Sequence, residues 1–124
     1  MIDHIKTILA CDDEPMILEA VAYVIAKEGY RLITAEDGKQ ALEMARENLP
    51  DLMLLDVNMP ELTGFEVCEI LKNDAETKNI CIVMFTANVQ ATDHEKAEQV
   101  GANGFITKPF SPKALQQELR DYLG

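Results

Sequence analysis

The sequence predicts an α/β fold, a three-layer (βα)5 sandwich built on a five-stranded parallel sheet, and three observations predict it. Strand-length apolar runs alternate with segments of helical period along the whole 124-residue chain, the order expected of strands joined by crossover helices. Three of those runs are apolar at consecutive positions, as strands covered on both faces must be. Helix-start signals follow the runs directly or after a short loop.

The first strand is expected near Ile5 to Cys11, with the continuous run Ile8-Leu9-Ala10-Cys11. Glu14 then leads into a helix with Pro15 at its first position, where the missing N–H has no partner to lose. Leu18, Val21 and Ile25 share one face of that helix, and Gly29 ends it. A second strand, Tyr30 to Thr34, is broken by Arg31 and Thr34, which suits an exposed edge. Asp37-Gly38-Lys39-Gln40 has the spacing of a capping box opening the second helix. The third strand, Leu52 to Leu55, is wholly apolar, and Thr63-Gly64-Phe65-Glu66 repeats the capping-box signal for the third helix. The fourth strand, Ile80 to Phe85, is again continuous. A fourth helix, roughly Val89 to Val100, contains Thr92-Asp93-His94-Glu95-Lys96 and keeps only Val89, Ala97 and Val100 as a thin apolar stripe. Such weak burial predicts a mobile helix or one completed by a partner. The fifth strand, Gly104 to Thr107, carries Thr107 and reads as the other edge. Ser111-Pro112 opens the last helix, with Leu115, Leu119 and Tyr122 on one face. Interior strands one, three and four with edges two and five give the order 2-1-3-4-5.

At this length the chain, 1–124, is expected to be one domain with a core of its own. Its 48% hydrophobic and 27% charged residues are globular rather than disordered composition, and no apolar run is long enough to span a membrane. Met1 to Lys6 lacks the order of a secretory signal, so a soluble cytoplasmic protein is expected. Cys11, Cys68 and Cys81 are an odd number without disulfide or zinc spacing and read as reduced core residues. Eleven basic against 22 acidic side chains leave a formal charge of -11, which repels nucleic-acid phosphates. His4 and His94 read as surface residues.

In an open parallel sheet, ligands bind beyond the carboxyl ends of the strands where the strand order reverses, here between strands one and three. Asp12-Asp13 follows the first of these and Asp56 the second. Three such charges cannot all stay ionised side by side unless a pKa rises or a cation compensates. Lys108, after the fifth strand, supplies one positive group. An all-oxygen ligand set suits a hard ion, Mg²⁺ before others. A carboxylate is also a competent nucleophile toward phosphorus, and the product would be an aspartyl phosphate. Taken singly, each residue has a plainer reading: a solvated Asp-Asp turn, a strand-end hydroxyl at Thr86, a core ring at Phe105, a turn charge at Lys108. Their combination at equivalent strand ends favours the site.

Asp12-Asp13, Leu54-Leu55-Asp56-Val57-Asn58-Met59-Pro60, Thr86-Ala87 and Lys108-Pro109-Phe110 together resemble the signature of the receiver domains of bacterial response regulators, and the resemblance runs over essentially the whole chain. It implies a flavodoxin-like arrangement and a phosphorylation-dependent switch of two-component signalling. By position, Asp56 would accept the phosphoryl group and contact Mg²⁺, for which Mn²⁺ can substitute. Asp13 would ligate the ion directly, Asp12 largely through water, and Asn58 through its backbone carbonyl. Thr86 would donate its hydroxyl to one phosphoryl oxygen and Lys108 would pair with another. Pro109 would follow a cis peptide. Phe105 stands at the family's switch aromatic, as Phe rather than Tyr, so switching would work through packing. Thr63-Gly64 stands where the family more often has Asp-Gly, and Asn58 and Asn88 stand where it tunes phosphate lifetime.

The implied donor is a histidine kinase or phosphotransfer protein. The implied listener is an output protein, or a domain outside this chain, reached through helix four, strand five and helix five. A phosphorylation-dependent homodimer through the same face is compatible with this, and neither nucleic acid nor membrane is an expected direct partner. The domain would catalyse only its own phosphorylation and dephosphorylation. Three competitors fit less well. A Mg²⁺-dependent phosphohydrolase would want a cap domain and an acid where Asn58 stands. A constitutive scaffold would not need the full acidic, Thr and Lys set. A flavin carrier would want a glycine- and hydroxyl-rich loop where Glu14-Pro15-Met16 stands.

Overall fold

The computed structural model describes residues 5–86 and 91–124, with the side chains of 91 and 92 also outside the description. Strands β1 (Thr7–Cys11), β2 (Arg31–Ala35), β3 (Leu52–Asp56), β4 (Cys81–Thr86) and β5 (Gly104–Thr107) alternate with helices α1 (Pro15–Lys27), α2 (Gly38–Asn48), α3 (Gly64–Lys72), α4 (Ala91–Gln99) and α5 (Pro112–Leu123). All strand pairs are parallel, in the order β2-β1-β3-β4-β5, as the apolar runs predict.

Strand alternation divides the core in two. Leu9, Cys11, Met53, Leu55, Ile82 and Met84 face α2, α3 and α4, where they meet Ala41, Ala45, Cys68, Leu71 and Ala97. Ile8, Ala10, Leu52, Leu54, Val83 and Phe85 face α1 and α5, where they meet Val21, Val24, Ile25, Leu115 and Leu119. Every residue of β3 is buried, whereas β2 is buried only at Ala35. This is the interior and edge assignment expected from the sequence.

The helix starts form as their residues dictate, with one difference. Thr63 and Glu66 make the full capping box on α3, at 3.2 and 3.1 Å. Ser111 Oγ accepts the Ala114 N–H at 3.0 Å at the start of α5. Asp37 likewise accepts the Gln40 N–H at 2.7 Å, but the Gln40 side chain takes the N–H of Glu36 instead of that of Asp37. The reciprocal bond is displaced by one residue. α2 ends at Leu49, which turns left-handed with φ 44° because Pro50 offers no N–H to continue the helix.

Other boundaries move slightly. β1 starts at Thr7 and leaves Ile5 exposed, and β4 starts at Cys81, which is half-buried rather than a core residue. α4 is described from Ala91, so the expected Val89 start lies outside the described residues, as does His4. Among the described side chains of α4, Ala97 is the buried one, and Val100 just beyond the helix is half-buried, the thin stripe the sequence predicts.

At the end of the sheet away from β1's carboxyl terminus, the Lys72 ammonium reaches three acceptors: the carbonyls of Lys78 (3.1 Å) and Ile80 (2.7 Å) and Asn103 Oδ1 (2.9 Å). Asn103 in turn brackets Ile82, accepting its N–H at 2.9 Å and donating to its carbonyl at 2.7 Å. The start of β5 is thereby fastened to β4.

Gly64 sets how closely α3 approaches β3. A Cβ at this position would overlap the Asp56 carbonyl oxygen and its carbon, and would crowd the Met84 methyl. The first two are backbone atoms that no rotamer change can move. Gly64→Ala is expected to lower stability by about 1–3 kcal/mol, the usual cost of overpacking, as read from the urea midpoint.

Candidate functional site

The sheet reverses direction at β1 and β3: β1 connects outward to β2, and β3 connects the other way to β4. The loops after these two strands separate and leave a cleft between them. Because Cys11 pairs with Leu55, the next residues in line, Asp12 and Asp56, stand opposite one another. Both belong to the strand parity of the α1 and α5 face, as do Ile106 and, two residues on, Lys108. The Lys108 Nζ accordingly lies 5.0 Å from the centroid of the Phe85 ring on that face.

The residues that the sequence places at the site come together. One carboxylate oxygen from each of Asp12, Asp13 and Asp56 lies within 4.8 Å of the others. Asp12 and Asp56 are buried and Asp13 is exposed. The Lys108 ammonium, itself buried, is 2.5 Å from Asp12 Oδ2 and 3.6 Å from Asp56 Oδ1. Asp12 Oδ1 accepts the Glu14 N–H at 2.9 Å and Asp56 Oδ1 accepts the Asn58 N–H at 3.2 Å. The Lys108–Pro109 peptide is cis, and the Phe110 ring packs 5.1 Å from Phe85.

Three acids against one amine leave the cleft with an excess of negative charge. Burial above all, and next the Asp12 carboxylate, push the Asp56 carboxyl up to about 6, with Lys108 and the Asn58 N–H pulling the other way and Asp13 adding to the rise. The donor set is oxygen only. Cys11, the nearest sulfur in sequence, is no competitor: burial and the neighbouring Asp12 and Asp56 charges push its thiol up, so it stays protonated. A hard divalent cation is the species that such a group of carboxylates accommodates.

Thr86, buried at the end of β4, follows Phe85, the partner of Asp56 in the ladder. Alternation puts it on the opposite face from Asp56, the face of Met84, whose β5 partner is Phe105. Thr86 and Phe105 therefore share a face, and the Lys108 N–H donates to the Thr86 carbonyl at 2.7 Å. Phe105 is half-buried against the core. The Asn58 side chain is exposed, and Asn88 lies outside the described residues.

Three contributors were not visible as site residues in the sequence. Glu14, read only as a helix start, has Oε1 3.8 Å from the Lys108 Nζ. Phe85, read as core, is the apolar floor beneath the ammonium. His94, read as an isolated surface residue, is exposed but stacks on Phe105 with ring centroids 4.4 Å apart. The signal for His94 was its place three residues before Ala97, on the thin apolar stripe.

Comparison with known proteins agrees with this fold. The model of the response regulator receiver domain matches residues 8–120. The polar-differentiation response regulator DivK of Brucella anthropi is 34% identical over 119 residues, covering 96% of this chain and 97% of that protein. The chemotaxis response regulator CheY4 of Vibrio cholerae superposes with a TM-score of 0.91 at 33% identity, covering 97% of this chain and all of that one. The receiver domain of the sensor histidine kinase PA1611 from Pseudomonas aeruginosa PAO1, with a magnesium ion coordinated in its active-site cleft, superposes at 0.87 with 28% identity, over 96% of this chain and 98% of that one.

The raised Asp56 pKa has a stability consequence in metal-free protein. Folding favours the protonated carboxyl, so this stability is fully present below the ordinary value of 3.8 and is lost as pH rises through about 6. In EDTA at pH 7, Asp56→Asn is expected to be more stable than the wild type by up to about 3 kcal/mol, at 1.36 kcal/mol per pKa unit. The difference should shrink toward zero near pH 4. Urea titrations at several pH values measure it, and added Mg²⁺ should narrow the gap by stabilising the wild type alone.

Proposed function

The chain belongs to the response regulator receiver domain family, and from that premise we propose that it is a phosphorylation-dependent switch whose acceptor is Asp56. The observation that carries this reading is the buried Asp56 carboxylate, within 4.8 Å of the Asp12 and Asp13 oxygens and 3.6 Å from the Lys108 ammonium. A lone acid in that position would be a liability. Beside a metal and an amine it is a nucleophile with the charge compensation that phosphoryl transfer needs.

The donor is a phosphohistidine on a kinase or phosphotransfer protein. An Asp56 oxygen attacks phosphorus, the P–N bond breaks with its electron pair returning to the imidazole, and an acyl phosphate is formed. Water attack on phosphorus later releases inorganic phosphate and restores the carboxylate. Mg²⁺, held by Asp12, Asp13, Asp56 and the Asn58 carbonyl, would neutralise charge on the transferring group. Lys108, steadied by Asp12, would pair with one phosphoryl oxygen, and the Thr86 hydroxyl would donate to another. Once drawn to the phosphoryl group, Thr86 leaves room on its face of the sheet for Phe105 to move inward, and the surface formed by α4, β5 and α5 changes for an output partner. Reversing a 99:1 resting equilibrium would require about 5.5 kcal/mol of preference for the active form. Transfer is expected to occur in the cytoplasm, where kinases of this class present their phosphohistidine.

A constitutive scaffold would not need a buried Lys108 held between two acids, and Asn58 leaves a phosphohydrolase short of its second acid. Incubation with radiolabelled acetyl phosphate and Mg²⁺ is expected to label the wild type, to leave Asp56→Asn unlabelled, and to fail in EDTA. Lys108→Ala should slow labelling by about 10²-fold or more, as the loss of one transition-state donor does. Equal labelling of Asp56→Asn and wild type would remove the assignment.

A further inference from the structure

His94 and Phe105 form the one aromatic contact between α4 and β5 among the described residues, with centroids 4.4 Å apart and ring planes inclined by 31°. Both rings line a surface groove of about 280 Å³, together with Ala97, Glu98, Ala102, Asn103 and Gly104. The floor of the groove is firm, because Asn103 is bonded to Ile82 and to Lys72. Phe105 thus sits half-buried at the groove, on the same face of the sheet as buried Thr86, with the imidazole laid over it. For the ring to move inward, this stack must be given up.

We propose that His94 is a positioning residue for the switch: its imidazole holds Phe105 at the groove, and protonation tightens that hold, so that acidification opposes activation. The inference rests on the reading of Phe105 as the switch aromatic given above. Histidine changes charge between pH 5 and 8, and an imidazolium against the face of a phenyl ring gains a cation–π attraction that the neutral ring lacks. Around His94 the charged groups are Glu98 in the same groove and Asp93, Glu95 and Lys96 on α4, with the Lys96 ammonium 5.5 Å from the Phe65 centroid. From the packed side, the groove residues Ala102, Asn103, Gly104 and Phe105 carry no titratable group. Behind them lie Lys72, bonded to Asn103, and the Tyr122 hydroxyl of α5 against Gly104.

The test is the affinity for beryllofluoride with Mg²⁺, a phosphoryl mimic, measured at pH 7.5 and 5.5 in wild type, His94→Gln and His94→Phe. Titration at the acidic cleft is common to all three, so the difference between them isolates His94. The wild type is expected to lose about two- to five-fold more affinity on acidification than either variant, the factor that an exposed cation–π contact supplies. In a Phe105→Leu background the His94→Gln substitution should change nothing. Aromatic NMR resonances of Phe105, followed on adding the mimic, separate the two readings. A Phe105 that shifts, with pH profiles unaltered by either His94 variant, overturns the role of His94 and leaves the switch standing. A Phe105 that does not respond overturns the switch reading and this inference with it.

Discussion

The constraint on which the rest of the structure depends is the mutual repulsion of three carboxylates held at the tips of two central parallel strands. Nothing in the packing of β1 and β3 relieves it, because the register that buries Cys11 against Leu55 also sets Asp12 opposite Asp56. The relief comes from far along the chain, from a lysine that arrives after β5 and is buried with its ammonium 2.5 Å from Asp12. Even so, one positive charge for three negative ones leaves Asp56 with its carboxyl raised to about 6. The surplus suits the cleft to a hard cation. A site of this kind is stable as a fold and unsatisfied as an electrostatic arrangement, and the second property is the useful one.

Strand alternation divides these residues between the two faces of the sheet. Asp12, Asp56, Lys108 and Phe85 belong to the face that packs on α1 and α5, while Thr86, Phe105 and the groove beneath His94 belong to the other. The two faces meet at consecutive residues of β4, Phe85 and Thr86, one peptide unit apart. Gly64 brings α3 against the Asp56 carbonyl, fixing the backbone that carries this carboxylate. α4, by contrast, buries only Ala97 among its described side chains. The acid thus has rigid support beneath it, while the aromatic stands beside a lightly packed helix.

Much of this was legible in the residues themselves. The runs Leu52-Met53-Leu54-Leu55 and Ile80-Cys81-Ile82-Val83-Met84-Phe85 can only be strands covered on both sides, and Thr63 and Glu66 cap α3 as their spacing requires. The acidic pair after one interior strand and the acid after another pointed to the cleft before any distance was known. Less legible were contacts in which one partner looks ordinary. The Gln40 side chain has the right spacing to accept the Asp37 N–H, yet it accepts that of Glu36. His94 looked like one more polar residue on an exposed helix, and Glu14 like the entry to α1.

What the sequence determined by itself was everything with a local period or a local signal: the alternation of strands and helices, which strands are interior, where helices begin, and which side chains stand at the carboxyl ends. These follow from hydrophobic periodicity and capping, interactions between residues a few positions apart. Only the tertiary structure decided the distances between groups distant in the chain. It brought Lys108 to Asp12, 96 residues away, set Phe85 beneath its ammonium, placed Gly64 against the Asp56 carbonyl, and laid His94 on Phe105. Such contacts depend on how elements pack against one another, and the free energy of packing is settled by the whole core rather than by any stretch of the chain that contributes to it.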